Sequence, residues 1–165
     1  MIAYLQTLFA RELDTLSREV SLYPDDESLW KAVPGCPNPG GNLVMHLAGN
    51  LRHFIGARLG NTGYVRDRDA EFSVRGLSRD DLQKLIGAAR SEVAATLAAL
   101  DPSVLGEPHI APGDRKIETG LWLVHLAVHL GYHLGQIDYH RRTVTGNPAG
   151  ADAMPLQPLV SRART

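Results

Sequence analysis

The stretch GLWLVHLAVHLGYHLGQIDYHRRTV, residues 120–144, holds no proline and runs unbroken to Gly146, Asn147 and Pro148. With Thr119 placed to cap it, such a stretch predicts one long helix. Within it His125, His129 and His133 stand at every fourth position. Side chains four apart stack on one helix face, so the three rings project along one line. Leu121, Trp122, Val128 and Tyr132 flank that line, which puts the histidines inside or beside the apolar face. Two imidazoles separated by a rise of about 6 Å suit one metal ion, whereas the outer pair, about 12 Å apart along the axis, does not. At most two of the three therefore share an ion, and the third has another role.

A helix with this much apolar surface needs partners. Upstream, Ile2, Leu5, Phe9, Leu13, Leu16 and Val20 recur at helical spacing and predict a first helix from Ile2 to about Leu22, ended by turn chemistry around Pro24. A loop rich in proline and glycine then leads to NLVMHLAGNLRHFIGARLG, residues 42–60, with Asn42 as its cap and Gly60 and Asn61 as its stop. Ser78 and Asp81 form a capping pair for a third helix, whose buried stripe runs through Leu82, Leu85, Ile86, Ala89, Val93, Leu97 and Leu100. Asp101 and Pro102 close it. Residues 62–76, with the run Arg66, Asp67, Arg68 and Asp69, read as a solvated connection, and residues 103–118 as a loop or a short hairpin. Four helices and no convincing strand predict an all-α four-helix bundle with long connections after the second and third helices. The bundle domain is expected over residues 1–148, and residues 149–165 as an extended or frayed tail.

Lysine and arginine number 17 against 18 aspartates and glutamates, a formal net charge of −1. That balance removes the overall electrostatic pull toward nucleic acid. No apolar run approaches the roughly 18 residues of a membrane span. Arg11 and Glu12 fall where the apolar core of an export signal would continue, so the cytoplasm is the expected location. Cys36 is the single cysteine and cannot form an internal disulfide; it has no basic neighbour to activate it as a nucleophile. A chain of 165 residues buries enough surface to fold without a structural metal, so a metal site here is expected to be functional.

A third ligand beside two histidines of the last helix must come from elsewhere. His46 on the second helix is the obvious candidate, and His46, Asn50 and His53 share one face there. His53 lies about 10 Å along the axis from His46, too far to share its ion. Asn50 is placed to support the His46 ring, and Gln136 to reach a metal-bound water. His125 suits either a ligand-orienting or substrate-contacting role, or that of a core histidine bonded to a backbone carbonyl. His109 and His140 are expected to face solvent. On spacing alone, metal ligands and hydrogen-bonded core histidines are both open readings of the stripe.

The segments GGNLVMHLAGNLRHFIGARLG, residues 40–60, and LVHLAVHLGYHLGQIDYHRR, residues 123–142, resemble the two signature regions of the DinB/YfiT-like family of four-helix bundles. The resemblance implies a divalent metal, zinc or nickel, bound by His46, His129 and His133, with Gly135 and Gln136 matching a Gly-Gln pair of the family. It also implies a homodimer. At the position of His53 relatives commonly carry Gln or another polar residue.

No Glu-x-x-His occurs in the chain, which excludes the di-iron carboxylate class of bundles. Three neutral imidazoles leave a bound dication its full charge, as Lewis-acid chemistry on water or a thiol requires. With the resemblance, this predicts a metal-dependent transferase using a low-molecular-weight thiol, or a related hydrolase, acting on a small molecule. The alternative is a non-catalytic, stress-associated dimeric bundle whose metal is structural or adventitious. The sequence offers this alternative one argument: no inward-facing carboxylate is evident as a general base, Asp14 and Asp138 being the nearest options.

Overall fold

A computed structural model of the chain describes residues 1–160. Its first element, α1 (Ile2–Ser21), buries Leu5, Phe9, Leu13, Leu16 and Val20, the stripe whose spacing predicts it. The second, α2, starts at Gly40–Leu51, continues through a π-helical segment, Arg52–Ala57, and ends in the turn Arg58–Gly60. Asn61, at φ 50°, closes it in the left-handed conformation. A short helix, α3 (Arg68–Ser73), lies within the connection that follows. Next come α4 (Arg79–Ala99), capped by the Ser78 side chain, which accepts from the Asp81 amide, and the long α5 (Thr119–Thr145).

Helix α1 packs against α4 and α5, and α2 packs against the same two, so each long helix meets two others around a common core. Leu16, Leu47, Leu51, Leu82, Leu123 and Leu130 are fully sequestered there. Each such leucine contributes about 1.5–3 kcal/mol by leaving water, so apolar burial dominates the stability of this all-α chain. Among the described residues no helix is long and apolar enough to cross a membrane.

Residues 103–118 carry the short hairpin that is one of the two forms expected for them: β1 (Pro108–Ala111) pairs antiparallel with β2 (Arg115–Glu118), His109 opposite Ile117. Gly113 and Asp114 take positive φ at its tip, as a tight hairpin connection requires. The charged run at 66–69 is not simply solvated, because Asp67 caps α3 through the Ala70 amide and Glu71 behind it is buried. Asn42 lies inside α2; its amide donates instead to the carbonyls of Glu71 and Val74, tying α3 to α2. Thr119 is the first residue of α5, and its hydroxyl donates to the Glu107 carbonyl.

The flanks of the histidine line also differ. Trp122 is buried, but Leu121, Val128 and Tyr132 are exposed. The face of α5 that enters the core carries Leu123, Leu126, Leu130, Leu134 and Ile137. This helix is apolar nearly all round, so periodicity does not select its buried side. At its end Arg141, fully buried, pairs with Glu19 at 2.6 Å and with Asp138 at 2.8 Å, and also donates to the Ala149 carbonyl. Arg18 donates to the Ala151 carbonyl, so these arginines hold the start of the tail against α1 and α5. Residues 161–165 of the tail lie outside the described residues.

Candidate metal centre

Helix α2 supplies His46, and α5 supplies His129 and His133 one turn apart. One ring nitrogen from each lies within 4.8 Å of the other two. His46 Nε2 and His129 Nε2 are 3.2 Å apart, close to the separation of about 3.3 Å that two nitrogens on a tetrahedral zinc would have. Hydrogen bonds on the far side of two rings assign their tautomers. His46 Nδ1 donates to Glu71 Oε2 at 2.9 Å, and His133 Nδ1 donates to Gln136 Oε1 at 2.6 Å. Each bond keeps the proton on Nδ1 and leaves the Nε2 lone pair free for a cation. Gln136 thus acts on the His133 ring, where the sequence suggests a metal-bound water as its target. The donor set, three imidazoles with one ring nitrogen of each turned together, fits a divalent ion.

Glu71 is the residue that sequence reasoning misses. It is buried, and Arg66 grips it with two bonds, Nε to Oε1 at 2.6 Å and a terminal nitrogen to Oε2 at 2.7 Å. Burial alone would raise the Glu71 carboxyl; the bonds and charge of Arg66 and His46 outweigh it and hold the group below the usual range. A lasting carboxylate behind His46 orients the ring and raises its basicity toward a metal. One sequence signal existed. Gly49 sits inside α2 where a Cβ would collide with Glu71 Oε1, so a helix-interior glycine marks the close approach of another group.

The sequence profile of the DinB superfamily matches residues 8–137, a span that takes in His46, Glu71, His129 and His133. The chain belongs to the DinB superfamily. No curated protein matches it.

The three histidines of this DinB chain line a cleft of about 960 Å³ between α2, α3 and α5. Asn50 lines it too and is buried, yet makes no bond to His46, and its Oδ1 has no partner among the described residues. His125 reaches the same cleft but is exposed and stacked on Trp122, centroids 4.9 Å apart, so it is not a core histidine bonded to a carbonyl. His53 is not among the cleft residues. The π segment begins at Arg52, and its wider turn brings Phe54 to the cleft wall instead. Cys36 is exposed in a neighbouring groove that shares Asn38 and His133 with the cleft.

His109 and His140 are buried, contrary to expectation. His109 points inward from β1 and stacks on Trp122 at 5.5 Å while apolar Ile110 faces out, the reverse of what hydrophobic alternation in Pro108–Ala111 would suggest. His140 accepts from the Tyr23 hydroxyl at 2.8 Å and donates to the Lys31 carbonyl at 2.9 Å, fastening the loop before α2 to α5. Neither proposed carboxylate base faces the cleft. Asp14 pairs with Arg90, and Asp138 pairs with Arg141 and Arg142.

Burial, reinforced by the positive charges that His133, His46, His125 and Arg66 can place nearby, lowers His129 to a pKa of about 4. Burial also lowers His133, His109 and His140 from the ordinary imidazole value. In the unfolded chain these rings protonate near pH 6.5. Below that pH the unfolded state therefore binds more protons than the folded one, and stability falls as the pH drops toward about 4. The metal-free protein should melt at a clearly lower temperature at pH 4.5 than at pH 7, and His129→Ala should shrink the difference. A melting temperature independent of pH over this range would contradict the buried, neutral state of these rings.

Proposed function

We propose that this DinB protein is a divalent-metal-dependent enzyme of the cytoplasm, built as a four-helix bundle and using zinc or nickel held by His46, His129 and His133. The reaction proposed is transfer of a low-molecular-weight thiol to a small molecule, or a related hydrolysis. One observation carries this reading: the three imidazoles line a cleft large enough for a small substrate, where a structural site would be closed over by protein. When bound, the ion would supply Lewis acidity to a fourth ligand, water or thiol, lowering its pKa. Glu71 and Gln136 hold the His46 and His133 rings, Asn50 offers a polar group beside them, and Phe54 and Trp122 give the cleft apolar walls. Glu71 is committed to Arg66 and His46, so it orients His46 and is not free as a base.

The test is a thiol-transfer assay on untagged protein before and after chelation, with circular dichroism on the same samples. Chelation should abolish turnover and leave most helical signal, because apolar burial and not the ion holds the helices. Turnover that survives complete metal removal would reject the mechanism. Helices that melt with metal loss would make the ion structural and favour the non-catalytic, stress-associated reading.

A homodimer belongs to the same proposal. Tyr4 on α1 and Leu121, Val128 and Tyr132 on α5 are each more than 60% exposed, and such apolar side chains suit an interface between copies. Light scattering at micromolar concentration should give twice the chain mass of 18.0 kDa. A mass of one chain would reject the dimer.

A further inference from the structure

The cleft holds polar groups that the metal reading does not use. Arg68, the first residue of α3, lines it with its guanidinium 5.2 Å from the centre of the Phe72 ring. Among the described residues no carboxylate pairs with Arg68, although its neighbour Asp69 also lines the cleft. Arg66, the other cation of the cleft, is already neutralised by Glu71. A guanidinium resting over an aromatic ring keeps its N–H edge free, and that edge matches a carboxylate bidentately. On the floor, Asn50 and Trp122 are both more than nine-tenths buried, and Asn50 Oδ1 and Trp122 Nε1 have no partner. Buried polar atoms are usually satisfied, so these two orphans, in a cleft where His129 Nδ1 is also unpartnered, point to a ligand that completes them. Phe54, Phe72, Leu126 and Pro112 give the rest of the lining an apolar side, with Asn38, Ser73 and His125 as its polar members.

The formal charges narrow the class further. Arg66 and Glu71 cancel, as do Arg68 and Asp69, and a dication on three neutral imidazoles would leave the loaded cleft at +2. Such a field favours an anion. We propose that the cleft binds a small carboxylic acid with an apolar or aromatic body, its carboxylate held by Arg68 at the rim and a polar group of its other end met by Asn50 and Trp122. The inference deepens the enzyme reading by naming its substrate class, and it rests on that reading only for the ion.

The test is isothermal titration at low salt with three probes: 3-(4-hydroxyphenyl)propanoate, whose phenol supplies the distal polar group, its primary amide, and inorganic phosphate. Zinc content is measured in every sample, and each titration is run on zinc-loaded and metal-free protein. The acid should bind at least about tenfold more tightly than the amide, the scale of a charge-assisted bidentate contact. Arg68→Gln should erase that preference by weakening the acid far more than the amide, whereas Asn50→Ala should weaken acid and amide alike. In metal-free protein the preference should persist at lower affinity, because Arg68 does not depend on the ion. Equal binding of acid and amide would overturn the proposal. So would a preference that survives Arg68→Gln, which would place the carboxylate on the metal, and so would phosphate binding as tightly as the acid, which would leave the apolar walls without a role. Failure to take up zinc with the acid preference intact would sink the metal reading alone; zinc uptake without the preference would sink this one alone.

Discussion

His129→Ala should lower zinc affinity by about a hundredfold or more, because a site of three or four ligands shares an apparent binding energy on the order of 10–16 kcal/mol. The ring it removes places Nε2 3.2 Å from His46 Nε2, within the cluster of converging nitrogens. The matched control is His125→Ala, one turn earlier on α5: exposed, without a hydrogen bond to any of the three ligands, and outside the cluster of converging nitrogens. It should keep near-normal metal content. His140→Ala should also keep its metal but lose stability, since it breaks the link from Tyr23 to Lys31. Competition with a coloured chelator reads all three variants. Equal metal occupancy in His129→Ala and His125→Ala would reject the assignment of ligands.

Glu71→Ala should weaken metal binding by about 10–100-fold, the usual effect of removing a group that orients a ligating histidine. The reason is local. Without the carboxylate, His46 Nδ1 loses its acceptor and the ring is free to turn or to exchange tautomers, while Arg66, only 11% exposed, is left as an unpaired cation beside it. Glu71→Gln keeps an acceptor for His46 but not the charge, so its loss should be intermediate. Glu92→Gln disrupts a similar pair with Arg52 away from the histidines and should leave affinity unchanged. If Glu71→Ala binds zinc normally while its helical signal is intact, the carboxylate has no part in the centre.

The four long helices and the histidine geometry were legible in the sequence for the same reason. Leu5, Phe9, Leu13, Leu16 and Val20 on α1, and His46 against His129 and His133, all follow the helical period, which depends only on local backbone geometry. What escaped depends on contacts between segments. Glu71 lies in a charge-rich connection whose burial is set by Gly49 and Asn42 of another helix. The position of His53 follows from a π segment that no spacing rule announces. On α5, Leu121, Val128 and Tyr132 look like core because every face of that helix carries apolar residues, and only packing against α1 and α2 decides which are covered.

The proposed enzyme depends on three imidazoles holding one functional ion. X-ray absorption at the zinc edge, on untagged protein loaded with one equivalent of zinc, reads that shell directly. The account predicts one ion per chain with three imidazole nitrogens at about 2.0–2.1 Å and a light-atom fourth ligand. A sulfur neighbour at about 2.3 Å, which only Cys36 among the cysteines could supply, or a shell without imidazole scattering, would contradict it.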